Sequence, residues 1–349
     1  MDLQTFGFTP FFQSQLTPAD APTVGRVLTE EKKSHRVVTP QGELLCDLAG
    51  RFYHHAKSRL DFPTVGDFVT LRARAAEGKG TIQRLLARRT LLSRATGEGD
   101  RTGDIQTLAA NVDTVFLVTS LNLNFNLRRL ERFLALVNQS GALPVILLTK
   151  SDLLPDAGPI MADVRRIAAA VPIHAISCLE NKGLDTLIPY FGPGKTAVVL
   201  GSSGVGKSTL VNHLAQSDLQ DMMDTRDIDD KGRHCTSSRT LIPLPAPYHG
   251  MIIDTPGLRG LNLSESDPAA NPAVTNFDDI ITLAAQCKFT DCRHATEPLC
   301  AIKAAIEAGT LDAHRLASYL KLEREQSAAN AKAKRRAQIQ ATKAGKRPQ

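Results

Sequence analysis

No stretch of this chain approaches the roughly 18 consecutive apolar residues that a membrane-spanning helix requires, so no membrane association is expected. The first residues, Met1-Asp-Leu-Gln-Thr-Phe6, lack the basic start and apolar run of a secretory leader. Cysteine is scarce: there are six in 349 residues, and Cys46, Cys178 and Cys235 stand alone. That usage argues against a disulfide framework and points to a cytoplasmic protein. Most of the chain also lacks excess charge. The net charge is +6, yet residues 321–349 carry nine Lys/Arg against two Glu, a net of +7, which leaves everything before them at −1. The basic character is a tail rich in Ala, Lys, Arg and Gln, suited to a polyanion such as RNA or simply solvated.

What is present is enough apolar residue, 42%, for two or three domains. Residues 1–23 carry Phe and Pro with little periodicity and read as an irregular lead-in. Between 24 and 92 come five strand-like runs, Val24–Leu28, Arg36–Thr39, Glu43–Leu48, Asp67–Leu71 and Thr81–Leu86, separated by Gly and Pro. Five short strands in about seventy residues suggest a small barrel, of which the oligonucleotide-binding barrel is a common design; an all-β adaptor with no nucleic-acid role has the same pattern. Residues 93–110 are polar and glycine-bearing and read as a linker. A βα rhythm follows from Val115 to Asp254, implying a mostly parallel, doubly wound sheet. Beyond Leu261 the pattern turns polar, then helical around a cluster of Cys and His.

Gly201-Ser-Ser-Gly-Val-Gly-Lys-Ser208 lies between the apolar run Thr196–Leu200 and a helix-forming stretch. Strand, glycine loop and helix together make a phosphate-binding loop, because backbone N–H groups and a helix N-terminus converge there. Gly201, Ser202, Ser203, Gly204, Val205, Gly206, Lys207, Ser208 and the following Thr209 are the phosphate-side candidates. Lys207 should meet the β- and γ-phosphates and Ser208 should ligate Mg²⁺. Asp254-Thr-Pro-Gly257 ends a second apolar run; Asp254 suits a carboxylate near Mg²⁺ and Gly257 can offer its N–H to the γ-phosphate. Thr236 is placed to reach Mg²⁺ from the intervening segment, with Ser237 as an alternative.

Thr149-Lys-Ser-Asp152 ends another strand-like run. Asp152 can accept from guanine N1–H and the exocyclic amine, donors that adenine lacks, which argues against a kinase or ATPase. Lys150 would lie along the base. Thr149 stands where an Asn is usual, and Ser177 ends the next strand in position to flank the guanine oxygen. This guanine reader precedes the phosphate loop, the reverse of the ordinary order. The residue after the switch glycine is Leu258, which cannot orient water as a glutamine would. His234 is the nearest polar candidate, or else a surface histidine in a loop. Finally, Cys287, Cys292, His294 and Cys300 supply four ligands, a full tetrahedral shell for one structural Zn²⁺.

These features together resemble the RsgA (YjeQ/YloQ) family of circularly permuted GTPases. Asn111-Val-Asp-Thr-Val-Phe116, Asn126-Leu-Arg-Arg-Leu-Glu-Arg132, Gly201–Leu210, Gly232-Arg-His234, Asp254-Thr-Pro-Gly-Leu258, Gly50-Arg-Phe52, Asp61–Asp67 and the Cys/His cluster carry the likeness. The resemblance implies an oligonucleotide-binding barrel (24–92), a circularly permuted P-loop GTPase core (111–263) and an α-helical zinc-binding domain (264–325); the linker (93–110) is read from composition, and the basic tail (326–349) has no match in the family. The resemblance also implies ribosome-stimulated hydrolysis of GTP to GDP during late maturation of the small ribosomal subunit, with Mg²⁺ and contacts to rRNA, by a monomer in which His234 replaces the missing glutamine. Cys235 departs from the family, where Thr is frequent. A nucleotide-gated RNA-binding adaptor with incidental hydrolysis is the alternative.

Overall fold

Short strands with one apolar side each leave exposed edges unless the sheet closes. The computed structural model describes residues 2–17, 24–31, 34–95, 105–121, 125–154, 156–202, 204–216, 239–255, 277–289, 292–294, 297–311 and scattered positions from 313 to 323, and it shows that closure. β1 (Val24–Glu30), β2 (His35–Thr39), β3 (Gly42–Leu48), β4 (Phe68–Arg74) and β5 (Lys79–Leu85) run in the order β1-β2-β3-β5-β4, and β4 pairs back onto β1. Val27, Val37, Leu44, Cys46, Val69, Leu71 and Ile82 fill the interior. The lead-in is more ordered than its sequence suggests. Its one-turn helix α1 (Pro10–Gln13) buries Phe12, whose ring lies 4.3 Å from that of Phe68. A second short helix, α2 (Gly50–His55), sets Phe52 on the barrel core.

The expected linker needs correcting. β6 (Leu91–Ala95) and β7 (Ile105–Ala110) pair antiparallel, so residues 93–95 and 105–110 belong to a two-stranded sheet. The glycines and aspartates of 96–104 dominate the local composition, while Leu92, Leu108 and Ala109 on either side are buried.

The second unit is the βα sheet. Its elements are β8 (Thr114–Ser120), α3 (Leu127–Ser140), β9 (Leu143–Thr149), α4 (Gly158–Ile167), β10 (Ile173–Ala175), β11 (Thr196–Gly201), α5 (Lys207–Ala215), β12 (Thr240–Pro243) and β13 (Met251–Asp254). A 3-10 helix spans Leu184–Tyr190; Pro189 lies inside it and cannot donate to an α-helical ladder. The spatial order is β10-β9-β8-β11-β13-β12, parallel except for β12. β11 is buried at every position because helices cover both faces. Val115, Leu117, Ile146, Leu148, Val198 and Leu200 pack toward α3, while Phe116, Val118, Leu147, Ala197 and Val199 pack toward Leu210, Val211 and Leu214 of α5. That alternation is the doubly wound arrangement read from the sequence.

Three contacts join the parts. The barrel and the parallel sheet are one continuous surface through the pairing of Thr29 with Thr240. Arg26, 1% exposed, donates to the carbonyls of Gly66, Phe6 and Asn111 at 3.1, 2.5 and 3.1 Å, and so ties barrel, lead-in and core together. Burial lowers its pKa to about 10, and the guanidinium still carries its charge at neutral pH. The C-terminal helices α6 (Asp278–Ala284) and α7 (Ala301–Glu307) sit on the α3 face, where Phe277, Ile280, Ile302 and Ala305 share one core with Leu130, Phe133 and Leu134. No helix among the described residues is long and apolar enough to cross a membrane.

Arg315 fastens this last unit. Its guanidinium donates to Glu131 Oε1 at 2.7 Å and to both Asp279 oxygens at 2.7 and 2.9 Å, with the ring of Phe277 4.8 Å beneath it. Glu131 is buried on α3, so removing Arg315 takes an ion-pair partner from a buried carboxylate. Arg315→Ala should therefore lower the stability of the C-terminal unit by about 3 kcal/mol in urea unfolding. A loss below about 0.5 kcal/mol would reduce the network to a surface ion pair.

Candidate functional site

The phosphate loop begins where β11 ends. Gly204 and Gly206 have φ of 79° and 94°, a region closed to most side chains, and this lets the loop turn its N–H groups inward. Lys207 opens α5 and is buried; its Nζ donates to Ser202 O at 2.7 Å. Ser208 and Thr209 are exposed on the first turn of α5, and Leu210 behind them anchors the helix in the core.

Asp254, at the end of β13, is 8% exposed, and its Oδ1 is buried with no hydrogen-bond partner among the described residues. Burial raises this carboxyl to about 6, with Lys207 pulling the other way; burial lowers Lys207 in turn, and Asp254 opposes it. Two largely buried groups of opposite charge, one carboxylate oxygen unpaired among the described residues, make a setting that a triphosphate and a hydrated divalent cation would complete. Ser208 and Asp254 fit Mg²⁺ on that ground. Thr255 holds the strand end by donating to Val199 O at 2.5 Å.

The guanine-reading tetrapeptide lies against this loop. β9 is separated from β11 by β8, yet Thr149 Oγ1 donates to Val205 O at 2.6 Å and lies 3.3 Å from Thr119 O at the end of β8. Lys150, with φ of 59°, donates from Nζ to Gly204 O at 3.0 Å. The Thr in place of Asn thus keeps a polar tie to the phosphate loop. Ser177, fully buried, donates from Oγ to Asp152 Oδ1 at 2.5 Å and accepts from Glu180 N at 3.2 Å. Asp152 is thereby fixed in orientation, a side-chain task for Ser177 beside the backbone contact read from its position. The structure brings Thr149, Lys150, Asp152, Ser177, Gly201, Ser202, Gly204, Val205, Gly206, Lys207, Ser208, Thr209 and Asp254 into one region. Ser203, His234, Thr236, Ser237, Gly257 and Leu258 lie outside the described residues.

One residue at this site was not singled out from the sequence. Arg129, on the first turn of α3, donates from Nη1 to Ser202 Oγ at 2.9 Å. Asn126-Leu-Arg-Arg129 looks like the start of an amphipathic helix, and nothing in the local pattern reveals which arginine faces the loop.

The second cluster lies between α6 and α7. Ligand atoms of Cys287, Cys292, His294 and Cys300 are all within 4.8 Å of one another. Cys287 Sγ and Cys300 Sγ are 3.9 Å apart, and His294 Nδ1 is 3.7 and 3.5 Å from them. A tetrahedral ion with M–S near 2.3 Å and M–N near 2.05 Å requires S···S of about 3.8 Å and S···N of about 3.6 Å. The four residues can therefore hold one metal ion with little rearrangement.

With this geometry in view, comparison with known proteins is specific. The profile of the RsgA GTPase family matches residues 85–264. The Small ribosomal subunit biogenesis GTPase RsgA 2 of Lactiplantibacillus plantarum is 41% identical over 327 residues, covering 94% of this chain and 90% of the relative. The RsgA of Opitutus terrae is 43% identical over 338 residues, with 94% and 90% covered. Among solved structures, YjeQ from Thermotoga maritima superposes with a TM-score of 0.60 at 26% identity, covering 86% of this chain and 96% of that one. YloQ, described as a circularly permuted GTPase, gives 0.57 at 25%, covering 87% and 95%.

Metal analysis of the purified protein should find one thiophilic divalent ion per chain. Stripping it with a chelator should unfold the segment around α6 and α7, which is too small to hold itself together otherwise. A metal-free chain with the same helix content and three freely titrating thiols at 287, 292 and 300 would contradict this.

Proposed function

The chain belongs to the RsgA family of circularly permuted GTPases, and on that premise we propose that it hydrolyses GTP in a manner stimulated by the small ribosomal subunit, late in that subunit's maturation. It is a GTP-hydrolysing enzyme of small-subunit biogenesis. The observation that carries the reading is the tie between the base reader and the phosphate loop, Thr149 to Val205 and Lys150 to Gly204. Two motifs far apart in the chain, in inverted order, are in direct contact.

In this proposal Asp152, oriented by Ser177, accepts from guanine, and Lys150 covers the base. Gly201 to Thr209 wrap the phosphates. Lys207 leaves Ser202 O for the β- and γ-phosphates, a better acceptor than a carbonyl because it is anionic. Ser208 and Thr236 hold Mg²⁺, with Asp254 nearby and Gly257 donating to the γ-phosphate. Mg²⁺ when bound would neutralise charge on the phosphate oxygens. Leu258 cannot position water, so His234 takes that role when the small subunit is bound. Zn²⁺ is the ion proposed for the Cys/His cluster, since three thiolates and an imidazole leave no open position for catalysis.

The contact to rRNA is supported by the barrel surface. α2 and the turn after it expose Arg51, Tyr53, Lys57 and Arg59, with Tyr53 63% exposed and its ring 5.8 Å from that of Phe62. An exposed ring among cations suits base stacking beside phosphate binding. The basic tail adds a second attachment. We place the protein in the cytoplasm, where its partner is, and as a monomer.

GTP turnover measured with and without purified small subunits tests this. Turnover should be slow alone and rise with subunits, with about 10³–10⁵-fold as an upper guide from other GTPases. His234→Ala should cut the stimulated rate about 100-fold and spare nucleotide affinity. Turnover indifferent to subunits would instead favour an RNA-binding adaptor.

A further inference from the structure

Among the described residues, three cations converge on the phosphate loop. Lys207 donates to Ser202 O and Lys150 to Gly204 O, both from within the nucleotide motifs. Arg129 donates to Ser202 Oγ from outside them. Its backbone is fixed as well, because Asn126 Oδ1 accepts from Arg129 N at 3.0 Å and caps the helix. No carboxylate among the described residues pairs with its guanidinium.

The side from which Arg129 arrives is informative. α3 covers the sheet face opposite α5, and its Leu130, Phe133 and Leu134 share a core with Phe277 and Ile280. Those are the first residues described after Asp254 and Thr255. Phe277 and Ile280 thus lie on the α3 face. Arg129 reaches the loop from that same face, across the sheet from α5.

The chemistry favours a change of partner. A guanidinium has five N–H donors, and the one engaged among the described residues is taken by a neutral hydroxyl. An anionic phosphate oxygen makes a shorter, stronger bond and can take two donors side by side. We infer that Arg129 is a phosphate-binding arginine supplied in cis, which moves from Ser202 to the terminal phosphate of GTP and stabilises the charge that develops there during hydrolysis. The bonds made and broken are those of ordinary hydrolysis. Water oxygen joins the γ-phosphorus, and the bond to the β–γ bridging oxygen breaks. Its electrons stay on GDP, and the water protons pass to phosphate and solvent. Such a cation has a clear use in a site whose switch glycine is followed by leucine rather than glutamine. This inference rests on the GTPase reading above.

The test compares the full-length protein with Arg129→Ala, Arg129→Lys and, as a charge control, Arg128→Ala. Affinities for fluorescent GDP and for a non-hydrolysable GTP analogue are measured beside single-turnover GTP hydrolysis, with and without small subunits. Arg129→Ala should leave GDP affinity unchanged, weaken the analogue roughly tenfold and slow the saturated rate about 100-fold. Lys keeps the charge without the fork and should recover part of the rate; Arg128→Ala should match the unaltered protein. If Arg129→Ala weakens GDP and the analogue equally and leaves the saturated rate intact, Arg129 only braces the loop and the inference is overturned. If the alanine variant does not fold, the lysine variant decides: an unaltered rate and GTP/GDP ratio would overturn the inference. Absence of hydrolysis by the unaltered protein with subunits would sink the GTPase reading itself rather than this residue's part in it.

Discussion

The site depends on holding two loops in register across a strand that belongs to neither. β8 separates the strand that ends in the base reader from the strand that ends in the phosphate loop. Thr149 closes that gap: its hydroxyl lies 3.3 Å from the carbonyl of Thr119 at the end of β8 and 2.6 Å from that of Val205 in the loop. A buried backbone carbonyl at the turn of a phosphate loop needs a donor, and one left bare would cost about 1–3 kcal/mol. A single short side chain therefore satisfies the loop, fixes the spacing between base and phosphates, and makes the order of the motifs along the chain irrelevant. Circular permutation is tolerated because the contact is made between strand ends, not through the connection that was cut.

The remaining parts are attached to this frame by arginines. Arg26 gathers three carbonyls from the lead-in, the barrel and the core. Arg315 binds the C-terminal helices to Glu131 on α3. Each is a planar fork of donors, which suits several fixed acceptors at once better than an ammonium does. α3 is consequently in contact with both the phosphate loop, through Arg129, and the metal-cluster unit, through Glu131 two residues later. That short separation is the most direct physical link between nucleotide and C-terminal unit among the described residues.

Much of this was legible in the sequence, for reasons that can be named. The barrel strands are short runs set apart by Gly and Pro, and the core strands are mostly apolar because both their faces are covered. The glycine loop follows a strand and opens a helix, and the four metal ligands are close in the chain. What was hidden has no local signature. The hairpin of β6 and β7 was masked by the glycines and aspartates between its strands. The pairing of Thr29 with Thr240 joins residues more than two hundred positions apart. The partners of Thr149, Arg129, Arg26 and Arg315 are set by how the elements pack, and a Thr at the head of the base reader looks like a loss until its hydroxyl is seen to reach Val205.

The central claim is that Thr149 to Asp152 and Gly201 to Ser208 form one guanine-nucleotide site. Nucleotide competition binding on the unaltered protein and on Asp152→Asn tests it most directly. Asparagine presents a donor where aspartate presents an acceptor, which matches xanthine, whose carbonyl replaces the guanine amine. The unaltered protein should prefer GTP to ATP and XTP, and Asp152→Asn should lose GTP and gain XTP. Equal binding of ATP and GTP by the unaltered protein, or an Asp152→Asn variant with unchanged preference, would contradict it.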